Sequence, residues 1–248
     1  MPYNVAHVVK TAANKEVTIA ATLRAWGQLV RLPMLPTALA DPLAGWWVSG
    51  QQLPMASFAL VLVASVCLYA AGMVWNDWFD YRLDCRERPE RPLPQGAISR
   101  GSAALVAGLL MVTGMVAAVC AGRWSGYTAA GLVGLIFLYD AWTKHWRFLG
   151  PVTMGSCRAL NFALAWHEPV GSVLWMPVVL GGYVAGVTAY AAGEVQRPAR
   201  RARVRWALRG IVVVDALLVA VSGSVTGAAV VLGLLVPVVL LGRWWEST

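Results

Sequence analysis

The chain has 248 residues, 58% of them hydrophobic and 13% charged, and its mean hydropathy is +0.61. A soluble domain of this size needs more polar surface, so composition excludes an ordinary water-soluble fold and makes the bilayer the expected solvent. The net charge of +8 lies between apolar segments, where it suits anionic lipid head groups or an anionic substrate and argues against a nucleic-acid partner.

Residues 1–20 read as a short cytoplasmic arm and residues 21–248 as one transmembrane domain. No cleavable signal peptide is expected: the first 24 residues contain no apolar run, and the first run is broken by Pro33 and Pro36. A spanning helix needs roughly 20 mostly apolar residues. Eight segments qualify, at about 25–48, 55–76, 101–121, 124–141, 149–167, 173–193, 206–222 and 225–243. The third and fourth, fifth and sixth, and seventh and eighth are joined by short turns, which predicts antiparallel neighbours in an all-α bundle. Gly181-Gly182 and the other glycines let helices approach closely. Cys67, Cys85, Cys120 and Cys157 show no metal-site or redox spacing, so no disulfide framework is expected.

With eight spans, seventeen Lys and Arg residues fall on one side of the membrane and Arg123 alone on the other, while Arg31 and Arg158 lie inside spans. That asymmetry predicts cytoplasmic termini. The second and sixth spans both end in acidic residues and lead into basic loops containing Arg91-Pro92 and Arg197-Pro198. The echo suggests two four-helix halves facing a shared cavity.

The chemistry concentrates in residues 76–84. Asp77, Asp80 and Asp84 fall at i, i+3 and i+7, within about 60° of one another on a helix. Three carboxylates on one face repel, and at a helix C-terminus the dipole disfavours them further. The arrangement calls for a cation, and Asp and Asn oxygens are hard ligands suited to Mg²⁺, which bridges carboxylates and substrate phosphates. The next loop holds Arg86, Arg88 and Arg91 among stiffening prolines, and arginine grips phosphate in bidentate fashion. Ser99 is placed to cap the following helix.

Asn76-Asp77-x-x-Asp80-x-x-x-Asp84, followed by Arg88-Pro89-x-Arg91-Pro92-Leu93-Pro94-x-Gly96, resembles the first signature of the UbiA superfamily of intramembrane prenyltransferases. Tyr139-Asp140 with Lys144, Gly150, Gly155 and Arg158 resembles the family's next motif. Arg31-Leu32-Pro33 with Thr37, Asp41 and Gly45, and the run Met154 to Asn161, look closest to the EboC-like branch. The resemblance implies a helical bundle, usually of nine helices, with a cavity open to lipid. It implies a Mg²⁺-assisted ionisation of a polyprenyl diphosphate and transfer of the prenyl group to a lipophilic, often aromatic, acceptor. Metal ligands would be Asn76, Asp77, Asp80, Asp84 and Glu194. Catalytic residues would be Asp77, Asp80 and Arg158, and the substrate would meet Asn76, Arg88, Arg91, Tyr139, Lys144, Asn161, Tyr190 and Arg197. Trp75, Trp78, Tyr81 and Tyr139 are candidate faces for a carbocation. The expected location is the bacterial inner membrane, among membrane lipids.

Two departures from the family pattern stand out. The second acidic motif is reduced to Glu194, in Tyr190-Ala191-Ala192-Gly193-Glu194-Val195-Gln196-Arg197-Pro198, and a ninth span is missing. Either Glu194 serves one ion, or Arg197, Arg200 and Arg201 replace a metal against phosphate, or turnover has been lost. The reduced second motif supports a prenyl-metabolite binding or transport protein as one alternative, and the many aromatics permit a terpene cyclase on the same scaffold as another. Arg158, buried one turn from Asn161, is read either as a substrate contact or as a structural partner of Asp41 or Asp215. Lys144 is read either as a diphosphate contact or as an exposed i,i+4 partner of Asp140.

Overall fold

The computed structural model describes residues 19–168, 171–191 and 198–247, with side chains from 198 to 202 and from 245 onward left aside. All of its regular structure is helical among these residues: α1 (19–29), α2 (Leu35–Val48), α3 (Met55–Phe79), α4 (Tyr81–Glu87), α5 (Arg100–Ala121), α6 (Arg123–Ala141), α7 (Leu149–Ala163), α8 (Trp175–Ala191), α9 (Pro198–Val221), α10 (Val225–Gly233) and α11 (Leu235–Ser247). Residues 1–18 of the expected arm lie outside the described residues, as do Glu194 and Arg197; residues 19 and 20 already belong to α1.

The first expected span is not one helix. Arg31 takes a left-handed conformation (φ 52), and a 3₁₀ turn over Leu32–Met34 follows before α2 begins. Pro33 and Pro36 cause the break, because neither can donate to the preceding turn. The last expected span is likewise divided at Leu234. Pro237 has no N–H for the Gly233 carbonyl, and Leu234 closes a tighter turn on Val231 instead. Four described stretches are long and apolar enough to cross a bilayer unaided: Met55–Phe79, Arg100–Ala121, Gly171–Ala191 and Val225–Trp244. Among the described residues, four of the eight expected spans thus coincide with stretches of spanning length and composition. α2, with 14 residues, is about 21 Å long against a hydrocarbon core of about 30 Å, and it is surrounded by other helices.

The predicted antiparallel pairs are present. α5 turns into α6 through Gly122 alone, α9 into α10 through residues 222–224, and α7 packs along α8. One apolar core joins α3, α5 and α6, with Leu68, Met111, Ala118, Leu132 and Ile136. A second joins α7 to α11, with Phe162, Leu180, Val184, Val212, Val219, Val231 and Val238. α2 feeds both, sending Trp46 into the first and Ala40, Ala44 and Val48 into the second. Two apolar cores therefore lie on either side of α2, which contributes to both.

Small residues set the spacing. α5 presents Ala103, Ala107, Gly114, Ala117 and Ala121 inward, largely against α3, while Leu105, Val112, Val116 and Val119 stay outside. Such an apolar outer face suits hydrocarbon, where small inward residues let helix backbones pack. A Cβ at Gly45 would overlap the Phe162 carbonyl, so α2 and α7 cross backbone to backbone.

Candidate active site

Helix α3 runs on almost directly into α4: Asp80 N–H donates to the Asn76 carbonyl and Asp84 N–H to the Asp80 carbonyl. The three aspartates thus keep the side-by-side placement that their spacing requires. Each meets a cation of the chain itself. Arg91 Nη1 donates to Asp77 Oδ1 at 3.1 Å and to Asp84 Oδ2 at 2.7 Å. Lys144 Nζ stands 2.7 Å from Asp80 Oδ1, an ion pair lacking the angles of a well-aligned hydrogen bond. Arg31 Nη2 approaches Asp77 Oδ1 at 3.8 Å.

The loop after α4 is what carries Arg91 back onto the helix. Leu93 and Ile98 are buried against Val74, Ala103 and Ala107, and Ile98 N–H donates to the Pro92 carbonyl. These anchors turn the Arg-Pro segment over Asp77 and Asp84. Ser99 then caps α5, accepting from Ser102 N–H at 3.0 Å as expected. On the far side, α6 ends at Ala141, and the 3₁₀ turn Thr143–His145 rotates Lys144 away from Asp140. The i,i+4 pair therefore does not form. Asp140 instead accepts from Asn76 Nδ2 at 3.0 Å, and its Oδ2 is buried without a partner.

Beside this cluster lies a cavity of about 160 Å³ enclosed by Arg31 and by α3, α6 and α7. Leu68, Tyr69, Gly72, Met73 and Asn76 form its α3 wall, one helical face about 12 Å long. Its mouth is polar, with Arg31, Asn76, Tyr139 and Asp140. The body is apolar, with Met73, Leu132, Ile136, Met154 and Cys157. The floor turns polar again at Tyr69, Arg158 and Asn161. A shallower polar hollow of about 250 Å³ adjoins it, lined by Gln28, Arg31, Asp77, Glu90, Arg91 and Pro92. Arg31 borders both spaces.

The expected site residues divide accordingly. Asn76 and Tyr139 line the mouth, Asp77 and Arg91 line the adjoining hollow, Asp84 is held by Arg91, and Asp80 pairs with Lys144 on the same helix end. Arg158 and Asn161 reach the cavity but at its floor, where Arg158 Nη1 donates to Asp41 Oδ2 at 2.8 Å and Asn161 Nδ2 to the same oxygen at 2.8 Å. Of the expected partners of Arg158, Asp41 is thus the one it pairs with, while its side chain also borders the cavity. Tyr190, on α8, borders neither space, and Arg88 forms no ion pair among the described residues. Trp78 and Tyr81 flank the Arg100 guanidinium, each at 4.7 Å, and Trp75 packs on Phe79 and Phe137, so of the four candidate aromatic faces only Tyr139 lines the cavity.

Arg31 and Asp140 stand in the motifs that carry the resemblance but are not among the expected site residues, and Tyr69 belongs to neither group; all three border the cavity. Arg31 carried a signal: it is a lone charge inside an apolar run, two residues before a proline. Asp140 was obscured by Lys144 at i+4.

The oxygen donors fit a hard cation. Asp77 Oδ2, Asp80 Oδ2, Asp84 Oδ1 and Asn76 Oδ1 accept no hydrogen bond from a described residue. Among the described residues no three acidic, His or Cys side chains converge into a cage. The set therefore suits a metal held by one or two carboxylates plus substrate oxygens, the usual manner of Mg²⁺ on phosphates.

A family model described as the UbiA prenyltransferase family matches residues 34–248. A digeranylgeranylglyceryl phosphate synthase of Thermococcus kodakarensis is 36% identical over 110 residues, covering 44% of this chain and 40% of the relative. A 4-hydroxybenzoate octaprenyltransferase of Pseudomonas fluorescens is 24% identical over 159 residues, covering 60% and 53%. The matched stretch spans 40%, 37% and 44% of three archaeal synthases, under half of each relative's length. Among solved structures, a UbiA homologue from Archaeoglobus fulgidus bound to DMAPP and Mg²⁺ has a TM-score of 0.62 at 15% identity, over 90% of this chain and 87% of that one. A structure described for digeranylgeranylglyceryl phosphate synthase in membranes has a TM-score of 0.61 at 16% identity, over 89% and 96%.

Proposed function

The chain belongs to the UbiA prenyltransferase family and is an integral membrane protein; from that premise we propose that it transfers a prenyl group from a polyprenyl diphosphate to a lipophilic acceptor inside the bilayer. The observation that carries this reading is the pairing of a charge-dense mouth with an apolar body. Arg31, Asn76, Tyr139 and Asp140 line the polar end of a cavity whose middle is Leu, Ile and Met, and Asp77 and Arg91, with the ion pairs Arg91–Asp84 and Lys144–Asp80, lie at or beside the adjoining hollow that shares Arg31. An amphiphile with an anionic head and a hydrocarbon tail matches that polarity. The relatives' names, a digeranylgeranylglyceryl phosphate synthase and a 4-hydroxybenzoate octaprenyltransferase, agree with a prenyl group as the moiety handled.

In this reading the diphosphate sits at the mouth, with Arg91, Lys144 and Arg31 against its oxygens and Arg88 within the same basic loop. Asp77, Asp80 and Asp84, with Asn76, would hold Mg²⁺. When bound, the metal neutralises the charge that gathers on the departing diphosphate. The C1–O bond breaks with its electron pair leaving on the diphosphate, and an acceptor electron pair closes on the allylic carbon. Tyr139 offers a π-face beside that carbon, and the apolar body keeps water from quenching it. Asp140 Oδ2, buried without a partner, can take the proton that the acceptor releases. Glu194 and Arg197, which lie outside the described residues, would be further contacts of the metal and the head group.

The charge asymmetry supports both termini facing the cytoplasm; we also take residues 21–248 as a single domain and a bacterial inner membrane as its location. A reporter fused to the C-terminus tests the orientation. The activity is tested by Mg²⁺-dependent diphosphate release from dimethylallyl, geranyl, farnesyl and geranylgeranyl diphosphates, with and without membrane extract. Asp80→Ala should abolish release. Unchanged release from that variant would remove Asp80 from the site, and a cyclic hydrocarbon formed without extract would make the protein a cyclase.

A further inference from the structure

Below the cavity lies a polar cluster that the chemistry at the mouth does not use. Asp41 of α2 and Asp215 of α9 are fully buried, and Arg158 of α7 is 9% exposed. Asp41 Oδ2 accepts from both Arg158 and Asn161. Arg158 also donates to the Thr37 carbonyl at 3.3 Å and to Thr37 Oγ1 at 2.8 Å. The remaining three carboxyl oxygens, Asp41 Oδ1 and both of Asp215, receive no hydrogen bond from any N–H or hydroxyl of the described residues. α2 and α9 pack on one another through a shared core that includes Ala40, Ala44, Val212 and Ala216, which brings the Asp41 and Asp215 side chains into interaction. Among the described residues Tyr69, its ring 5.9 Å from the guanidinium, and Cys157, which borders the same floor, are the other titratable groups facing the cluster.

The charge balance then determines the protonation. One guanidinium between two ionised acids leaves a net negative charge in an apolar interior, with three oxygens unsatisfied. A single added proton makes the triad neutral and supplies the missing donor, the arrangement two adjacent carboxyls adopt. Asp41 is the better anion, since its Oδ2 already takes two donors, one of them a guanidinium.

We propose that Asp215 and Asp41 share one proton, carried by Asp215 and donated to Asp41 Oδ1, and that this pair is the positioning element holding Arg158 and Asn161 as an electroneutral cavity floor. Arg158 is then a spent charge that draws no anion inward. If the protein uses a prenyl diphosphate, the head group is kept at the mouth for that reason; the proton-sharing itself stands apart from that reading.

The test uses the full chain purified in detergent, comparing wild type with Asp215→Asn, Asp215→Leu and Asp41→Asn. Infrared difference spectra at neutral pH should show a protonated-carboxyl C=O band that disappears in Asp215→Asn. The asparagine N–H replaces the acid O–H, so that variant keeps the wild-type Tm, whereas Asp215→Leu loses stability. Asp41→Asn strips Arg158 of its counter-charge and should lower Tm by roughly 6–20 °C. Cys157, which borders the floor, should react with a maleimide at the wild-type rate in Asp215→Asn and faster in Asp215→Leu. Absence of the protonated band overturns the proposal, as does a rise in Tm for Asp215→Asn. So do equal behaviour of the Asn and Leu variants, and a band that survives Asp215→Asn but vanishes in a stable Asp41→Asn. Should Asp41→Asn fail to fold, the spectra and the two Asp215 variants still decide.

Discussion

Arg91→Gln removes the cation that joins Asp77 to Asp84. Each hydrogen bond from a charged donor contributes about 1.5–3 kcal/mol. Here both bonds leave one nitrogen, so their effects do not simply add. The Arg91 side chain is 19% exposed and its partners 9% and 6%, so solvent screens part of the interaction. The expected net loss is about 2–3 kcal/mol. For a chain of this length each kcal/mol shifts Tm by roughly 2–4 °C, which gives a drop of roughly 4–12 °C. Tryptophan fluorescence during thermal unfolding in detergent measures it. Asp84 is then left without an ion-pair partner, and Asp77 retains only Arg31 at 3.8 Å. Two crowded carboxylates favour a divalent cation, so added Mg²⁺ should raise the variant's Tm more than the wild type's, by mass action on the folded state. A variant that melts with wild type refutes the clamp. A variant that melts earlier but gains no more from Mg²⁺ refutes the carboxylates as metal ligands.

Lys144→Gln should raise KM for the prenyl diphosphate by about tenfold through one lost charge contact, about 1.4 kcal/mol, while a thermal melt shows the fold intact. Asn76→Leu leaves Asp140 Oδ1 without its donor and should cost about 1–3 kcal/mol, read as a lower Tm. Gly45→Ala should abolish the monodisperse gel-filtration peak, because the new methyl overlaps the Phe162 carbonyl and backbone cannot yield as a side chain can. Maleimide labelling of Cys157 should slow when a prenyl diphosphate is present, while labelling of exposed Cys85 continues unchanged; equal labelling would place the substrate elsewhere.

The bundle was legible because a bilayer imposes it: apolar runs near 20 residues have few alternatives, and short turns dictate neighbours. The breaks at Arg31 and Leu234 were less legible. Pro33, Pro36 and Pro237 announce them, yet hydropathy averaged along a run is blind to a single missing N–H. The acidic cluster was readable from spacing, since helical phase alone brings Asp77, Asp80 and Asp84 together. Its partners were not. Arg91 is bent back by Leu93 and Ile98 packing on Val74, and Lys144 is rotated by a 3₁₀ turn, and both effects arise from tertiary contacts. Arg158 shows the same limit, because a buried arginine announces importance without saying whether it faces a substrate or an aspartate.

The bond between Arg158 and Asp41 spans 117 positions of the chain. During synthesis α2 therefore enters the membrane long before α7 and α9 exist. A helix of about 21 Å with an acid in its middle is a poor lipid-facing segment. It must shelter against α3, where Ser65 Oγ donates to the Ala38 carbonyl at 2.8 Å, until its later partners arrive. Assembly of this protein is thus ordered by its own electrostatics: the first half waits, incomplete, for an arginine not yet translated, and truncation before residue 158 should send the fragment to quality-control proteolysis.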